Sequence, residues 1–281
     1  MKKFNTTGTC RPNEHYMVDI TERLEIIRKM VDDGDYFCIN RGRQYGKTTT
    51  LNSLKSYLEV AGYCVFSISF ESVDSTYFST PSSAGAIVLK LLSICVKRNK
   101  TKNLDSHCAE MLLSFQEKHA EECSIFDLKE LLVDLCAENS KQIVLLIDEV
   151  DQASEQGPFL KFLGALRDMF LNRGEDAAFQ SVILAGVYDI KNLKLKMRPE
   201  EMHQYNSPWN IAVPFCVDMS LSADGIKGML DEYEADHHRG LNTEEIASWV
   251  REYTGGYPFL VSRLCQQMDE QNDWSHEGLL D

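Results

Sequence analysis

The chain has 281 residues, of which 43% are hydrophobic, and its formal net charge is −14. This content is enough for one large core, or for a core with a small second domain, while an acidic surface argues against pervasive binding of nucleic acid. Nine scattered cysteines without a C-x-x-C pair, and no run of about 18 apolar residues, predict a soluble, cytoplasmic protein without a disulfide framework, zinc site or membrane span.

A short segment at residues 16–19, which includes Tyr16, precedes the first predicted helix. That helix has Leu24, Ile27 and Val31 on one face, as its spacing of apolar residues requires. Residues 36–39 follow and are typical of a short buried strand, because they are aromatic and apolar.

Residues 40–50 have the order of strand, glycine-containing turn and helix that a phosphate-binding loop requires. Gly46 has no Cβ, so backbone N–H groups can approach a phosphate closely, and the positive end of the next helix faces the same anion. Lys47 would contact the β- and γ-phosphates, and the Thr48 hydroxyl would bind Mg²⁺. The predicted nucleotide-binding residues of the loop are Arg41, Gly42, Arg43, Gln44, Tyr45, Gly46, Lys47, Thr48 and Thr49.

The loop departs from the pattern G-x-x-x-x-G-K-[ST] at its first position. Arg41 stands there, and the nearest glycine, Gly42, comes one position late. Arg41 either tightens the binding of a product or only fills a turn. This choice decides between a switch that turns nucleotide over and a static nucleotide binder.

The next elements are a strand at residues 63–70 and helices at about 83–97, 105–119 and 125–138. Between the first two helices lies the one concentrated basic stretch of the chain, residues 97–102. A solvated linker is its default interpretation, and contact with nucleic acid or a partner protein is the alternative.

Five aliphatic residues at 143–147 lead directly into Asp148 and Glu149. Such a run predicts a buried parallel strand, whose carboxyl end delivers the two acids to the edge where ligands bind. We predict that Asp148 belongs to the Mg²⁺ shell and that Glu149 polarises the attacking water, so that with Lys47 they form the catalytic set. The alternative is an acidic pair that ends a strand and binds no metal.

A helix is predicted at residues 158–172 and a strand at 179–189. Tyr188 and Asp189 at the end of this strand are candidate sensors of the γ-phosphate, and a simple turn at Asp189 is the alternative. A long loop at 191–210 contains Arg198, and alternating residues at 210–217 predict a last strand, which Pro214 assigns to the sheet edge.

From residue 222 onward the pattern is helical and more polar, with helices expected at 222–235, 243–253 and 258–270. We therefore predict an ATPase-like core at 1–219 and a small helical lid at 220–281. The pair His237 and His238 is best explained by a solvated linker, since neighbouring side chains diverge and no third ligand is near.

Residues 16–19, the strand leading into 42–48, residues 143–151 and 184–189, and the turn 256–258 together resemble bacterial AAA-like ATPases. These P-loop proteins are allied to STAND signalling ATPases and to origin-recognition ATPases. Residues 40–51 and 187–193 look more narrowly like AAA-ATPase-like proteins of anaerobic bacteria. The resemblance covers essentially the whole chain and implies an α/β P-loop fold, a mostly parallel sheet flanked by helices with a helical lid.

The same resemblance implies ATP and Mg²⁺ as cofactors, and it places Tyr16 and Pro258 near the base. The alternative for residues 16–19 is a core-facing turn before a helix. It also makes Arg263 a candidate sensor arginine, and it leads us to expect an output domain or a protein partner beyond this chain. ATP is favoured over GTP, since the Asn-Lys-x-Asp guanine signature is missing.

Three functions follow from these patterns. The first, which we favour, is an ATP-hydrolysing, Mg²⁺-dependent switch whose nucleotide state a partner protein recognises. The second is a DNA-handling loader or motor, which would use the basic stretch at 97–102. The third is a nucleotide-binding scaffold with little turnover. Oligomeric state is left open by the sequence.

Overall fold

The computed structural model describes residues 2–154, 156–187 and 208–280. The candidate sensor Asp189, its neighbour Tyr188 and Arg198 lie outside these ranges. The chain divides into two compact units, each assembled from separate stretches. We call them the helical unit (Met1–Ile26, Gly42–Asn52 and Val217–Asp281) and the sheet unit (Ile27–Arg41 and Ser53–Cys216).

Where the structure describes it, the sheet unit has four parallel strands in the order β1-β4-β3-β2. The central strands β3 and β4 are buried at every residue, as expected for a parallel sheet covered on both faces. This confirms the predicted fold class, in which helices flank a parallel sheet. The strands are β1 (Phe37–Asn40), β2 (Cys64–Ser69), β3 (Ile143–Asp148) and β4 (Ser181–Gly186).

Two helices belong in part to each unit, α1 (Thr21–Asp32) and α2 (Lys47–Val60). Four more of the described helices lie in the sheet unit and bury their apolar faces in its core, among them the predicted stripe with Phe159, Phe162 and Leu166. They are α3 (Pro81–Lys97), α4 (Ser106–Lys118), α5 (Ile125–Glu138) and α6 (Gly157–Leu171), and short 3₁₀ turns lie at Ser75–Phe78 and Val150–Gln152.

Helix α3 begins two residues before the predicted start near residue 83. Thr80 is its N-cap and accepts a hydrogen bond from the Ser83 N–H at 3.1 Å, while the Ser83 side chain accepts one from the Thr80 N–H at 3.2 Å. Pro81 occupies the first turn, where its missing N–H costs nothing. The reciprocal cap therefore moves the start of the helix to Pro81.

The strand predicted at residues 210–217 is wrong. The segment makes a single parallel bridge, in which the Val213 N–H donates to Tyr36 O at 2.9 Å. Pro214 has no N–H, so it cannot donate a further bond to the ladder. The bridge nevertheless joins β1, the outer strand of the sheet, so the segment lies at the sheet edge, as Pro214 indicated.

The helical unit has its own core, formed by its C-terminal helices together with Phe4 and Tyr16 of the N-terminal segment. The three predicted helices are present, and a fourth short one follows them. Division of the chain into a core at 1–219 and a lid at 220–281 remains a prediction. The helices are α7 (Ala223–His237), α8 (Thr243–Thr254), α9 (Pro258–Gln271) and α10 (His276–Leu280).

The backbone of the basic stretch at 97–102 is held by its neighbours in the sheet unit. The Lys55 ammonium donates to Lys100 O, and the Lys102 N–H donates to the buried carboxylate of Glu59 at 3.3 Å. These bonds explain the position of the stretch without a ligand. In the part of the chain that the structure describes, no helix is long and apolar enough to cross a membrane.

Candidate functional site

The predicted phosphate loop is a tight turn with two residues in the left-handed region. Gln44 has a φ of 60° and Gly46 a φ of 73°. A Cβ at Gly46 would meet no atom within 4 Å, so the backbone conformation, and not crowding, favours glycine at this position. At Gln44 the same region costs a residue with a Cβ about 1 kcal/mol, so the rest of the loop must hold it there.

Helix α2 begins directly at the end of this loop. Its first backbone bond runs from the Thr50 N–H to Gly46 O at 2.8 Å, which leaves the N–H groups of its first turn outside the helical ladder. Lys47 is buried, and its ammonium donates to Gly42 O at 3.0 Å across the loop. The loop, the helix dipole and one lysine thus converge where an anion would bind.

A cavity that is open to solvent lies within the helical unit, and its empty space, including the part shared with solvent, is about 520 Å³. Three stretches that are far apart in the chain line it, and most of the lining side chains are apolar. From the N-terminal segment and α1 come Cys10, Tyr16, Met17, Val18, Ile20 and Arg23. From the loop and α2 come Tyr45, Gly46, Thr49 and Thr50, and from the C-terminal helices Leu221, Met229, Pro258 and Ser262.

The turn before α9 contacts the loop directly. The rings of Tyr45 and Tyr257 are 4.7 Å apart between centroids, and the Tyr257 hydroxyl donates to Arg43 O at 2.6 Å. On the N-terminal side, the Cys10 N–H donates to the Thr49 hydroxyl at 3.3 Å. The phosphate loop is therefore held from both ends of the chain.

Gly256 fixes the path of the segment that enters α7. The Leu221 N–H donates to Gly256 O at 2.8 Å, and a Cβ on Gly256 would lie only 2.2 Å from Leu221 O. Arg23 donates to Ser220 O at 3.0 Å, and burial lowers the pKa of its guanidinium. Hydrogen bonds from Ser220 hold the pKa of Asp218 below its usual range, with the charges of nearby arginines adding to the effect.

Replacing Gly256 with alanine is expected to destabilise the protein by at least about 2 kcal/mol. Its φ of 73° is unfavourable for alanine, and the new methyl group would overlap Leu221 O. Urea unfolding measures the loss. Gly228 of α7 is the matched control, because a Cβ there meets nothing within 4 Å, and alanine should stabilise that helix by about 0.5–1 kcal/mol. Equal stability of G256A and the parent would contradict the prediction.

In the sheet unit, Asp148 and Glu149 stand at the carboxyl end of β3. Asp148 is buried and lies beside Ser69 of β2 in the parallel register. Glu149 is half-buried, has a φ of 53°, and its N–H donates to Asp148 Oδ1 at 2.9 Å. The left-handed backbone at Glu149 turns the chain immediately after the strand. The two acids therefore lie at the carboxyl edge of the sheet, where open α/β sheets usually bind ligands.

Asp151 joins the turn after β3 to the end of β4. Its carboxylate accepts a hydrogen bond from the Val187 N–H and lies against Gly186, where a Cβ would come within 2.9 Å of Oδ2. The Gly186 carbonyl in turn accepts the Arg41 N–H at 3.2 Å. Within the sheet unit, Gly186 thus connects the acidic turn with Arg41 at the end of β1.

The Arg41 side chain packs within the sheet unit. Its guanidinium donates to Asn40 O at 2.9 Å and lies 5.8 Å from the centre of the Phe215 ring. These contacts show how arginine fits the first position of the loop: its backbone extends the pairing of β1 with β4, and its side chain covers an aromatic ring. Its contact with nucleotide remains a prediction.

A sequence model described as "Predicted AAA-ATPase" matches residues 5–195. The chain belongs to the AAA-ATPase-like family. No curated protein matches the sequence.

Among solved structures, this AAA-ATPase-like chain is similar to the Walker-type ATPase PABY2304 of Pyrococcus abyssi, with a TM-score of 0.62 and 14% identity over 96% of this chain and 72% of that one. The Aeropyrum pernix ORC1 protein in complex with DNA has a TM-score of 0.47 and 12% identity, over 94% of this chain and 64% of that one. The ORC2 protein of the same organism, in ADPNP–ADP complexes, has a TM-score of 0.47 and 15% identity, over 96% of this chain and 67% of that one. At this identity the first likeness shows a shared fold.

The structure of this AAA-ATPase-like chain brings several predicted residues together. Tyr16, Tyr45, Gly46, Thr49 and Pro258 line one cavity. Arg263 is exposed, and its guanidinium donates to Gln266 of the same helix at 3.2 Å, so its sensor role remains a prediction.

Sequence reasoning missed several residues that the fold places at the site. Cys10, Arg23, Leu221 and Met229 line the cavity, although none belongs to a recognised motif. Tyr257 had a signal, because it is the aromatic residue inside the turn that the resemblance singled out. Its contact with the loop required the fold.

Proposed function

We propose that this protein binds ATP in the helical unit and hydrolyses it slowly with Mg²⁺, acting as a nucleotide-controlled switch that a protein partner reads. The observation that carries the proposal is the cavity in the helical unit. There the N-terminal segment, the phosphate loop and the Gly-Tyr-Pro turn meet around one space. A binding site for a flat apolar base beside an anion needs these three parts.

The residues present suit such a ligand. Val18 and Pro258 are partly exposed and offer apolar surface to a purine, while Tyr16 and Met229 are buried in the wall of the same cavity, which Gly46 of the phosphate loop also lines. The first turn of α2 and the ammonium of Lys47 would bind phosphate groups through N–H donors. ATP fits this distribution because it is apolar at one end and anionic at the other.

The hydrolytic part of the proposal rests on the sequence motifs and on the family. Thr48 and Asp148 would hold Mg²⁺, which neutralises charge on the phosphates when it is bound. Glu149 would accept a proton from the attacking water, and the buried, hydrogen-bonded carboxylate of Asp148 suits a metal ligand better than a proton acceptor.

Two other functions remain to be separated from this one. A scaffold with little turnover would bind ATP but release no phosphate. A DNA-handling protein would use the stretch at 97–102, and the bonds of its backbone to Lys55 and Glu59 give no support for that role. Phosphate release and a gel shift at low salt therefore distinguish the three functions.

ATP is expected to protect Cys10 from alkylation. Cys10 is half-buried and lines the cavity, whereas Cys216 is exposed and does not line it. The other cysteines are buried except Cys136, whose thiol has a pKa raised by burial. At ATP concentrations ten times the Kd, labelling of Cys10 by a maleimide should slow roughly ten-fold, in proportion to the free fraction.

Cys216 provides the internal control, since its labelling rate should stay within about two-fold of the rate without ATP if the effect is local. Mass spectrometry of the two peptides measures both rates in one sample. Equal labelling of Cys10 with and without saturating ATP would show that this cavity does not bind the nucleotide.

A further inference from the structure

The side chain of Tyr257 contacts both its own helix, where its ring lies 6.4 Å from the ring of Phe259, and the phosphate loop. Tyr257 is the N-cap residue of α9, with an extended backbone, and its side chain makes no capping hydrogen bond. Instead, its hydroxyl donates to Arg43 O at 2.6 Å, and its ring packs 4.7 Å from the ring of Tyr45. Both partners belong to the phosphate loop, and the three residues lie in the helical unit.

The hydrogen bond acts on the peptide that precedes Gln44, a loop residue in the left-handed region. Gln44, the next residue, has a φ of 60°, which a side chain with a Cβ adopts only at a cost. In a trans peptide the carbonyl and the following N–H point in opposite directions. When Tyr257 holds the Arg43 carbonyl, it also fixes the direction of the Gln44 N–H.

Backbone N–H groups are the donors with which such loops bind phosphate. A loop already in its binding conformation loses less entropy when the ligand arrives, so it binds more tightly. We propose that Tyr257 is a positioning residue that orders the phosphate loop from the Gly-Tyr-Pro turn and thereby sets the affinity for the phosphate groups of the nucleotide. This inference rests on the proposed function.

The position of Tyr257 separates its effect from base binding. Its neighbour Pro258 lines the cavity, but Tyr257 is not among the described residues that do. Arg263, the residue of α9 expected to contact phosphate, is exposed and bonds Gln266. Among the described contacts of this turn, Tyr257 therefore provides the side-chain link to the loop.

The test compares binding of three probes to the full chain, namely ATP, tripolyphosphate and adenosine, each measured by competition with a fluorescent ATP analogue. Y257F removes the hydroxyl and retains the ring. It should weaken ATP and tripolyphosphate roughly two- to ten-fold, the effect of one neutral hydrogen bond. Y257A also removes the ring pair and should weaken both roughly ten-fold or more. Adenosine affinity should not change in either variant.

Tyr253 provides the matched control, because it is exposed on α8 and its hydroxyl bonds His276 at 3.2 Å rather than the loop. Y253F should bind all three probes like the parent. Thermal melting of each variant shows whether it is folded. If Y257A does not fold, the conservative variant Y257F still tests the inference.

Four outcomes decide the inference. Selective loss of ATP and tripolyphosphate supports it. Unchanged ATP affinity in folded Y257F and Y257A overturns it and leaves the proposed function standing. Equal weakening of adenosine also overturns it, since Tyr257 would then only support the cavity. Failure of the parent chain to bind ATP overturns the proposed function and this inference together.

Discussion

Replacement of Glu149 by glutamine should reduce ATP hydrolysis by roughly 10²–10⁴-fold, the usual contribution of a general base. Glutamine has nearly the same shape and can occupy the same half-buried site, but its amide cannot accept a proton from water. The backbone at this residue is left-handed in either case, with a φ of 53°, so the substitution adds no new backbone strain. ATP affinity should stay within about two-fold, because the carboxylate acts on water and not on the nucleotide.

Phosphate release at saturating ATP and Mg²⁺ measures the first effect, and competition binding measures the second. The exposed Glu117 of α4 is the matched control, since E117Q makes the same chemical change away from β3. A parent chain that binds ATP without releasing phosphate would instead indicate the scaffold function. If E149Q hydrolysed ATP at the rate of the parent, Glu149 would not be the general base.

Replacement of Lys47 by alanine should weaken ATP binding by roughly 100-fold, which corresponds to about 3 kcal/mol for hydrogen bonds from a charged donor to phosphate. Lys47 is buried, and its ammonium already lies at Gly42 O, 3.0 Å away, within the loop. A phosphate group that replaces this carbonyl would give the ammonium a charged partner. The variant loses that interaction but keeps the N–H groups of the first turn of α2.

Adenosine provides the internal comparison for K47A, because it occupies the cavity without a phosphate and should bind as it does to the parent. The exposed Lys90 of α3 is the control variant, since K90A removes one positive charge elsewhere. Isothermal titration calorimetry gives the dissociation constants of ATP and adenosine for the parent and both variants. Equal ATP affinity in K47A and the parent would exclude residues 42–49 as the phosphate-binding loop.

The sequence determined those features that depend on near neighbours in the chain. Five aliphatic residues before Asp148 and Glu149 predicted the buried strand β3, because a strand covered on both faces needs apolar residues at every position. The apolar spacing after Lys47 predicted α2, and the structure confirmed the parallel sheet flanked by helices. Local alternation was misleading at residues 210–217, where a ladder also needs a donor that Pro214 lacks.

Only the tertiary structure decided which distant residues meet. Tyr257 and Arg43 are 214 positions apart, yet they share a hydrogen bond, and Cys10 lies in the same cavity as Ser262. Gly256 is needed because Leu221 O passes so close to it, a fact invisible in the order of residues. Periodicity records which face of an element is buried, whereas the packing of whole helices determines what that face contacts.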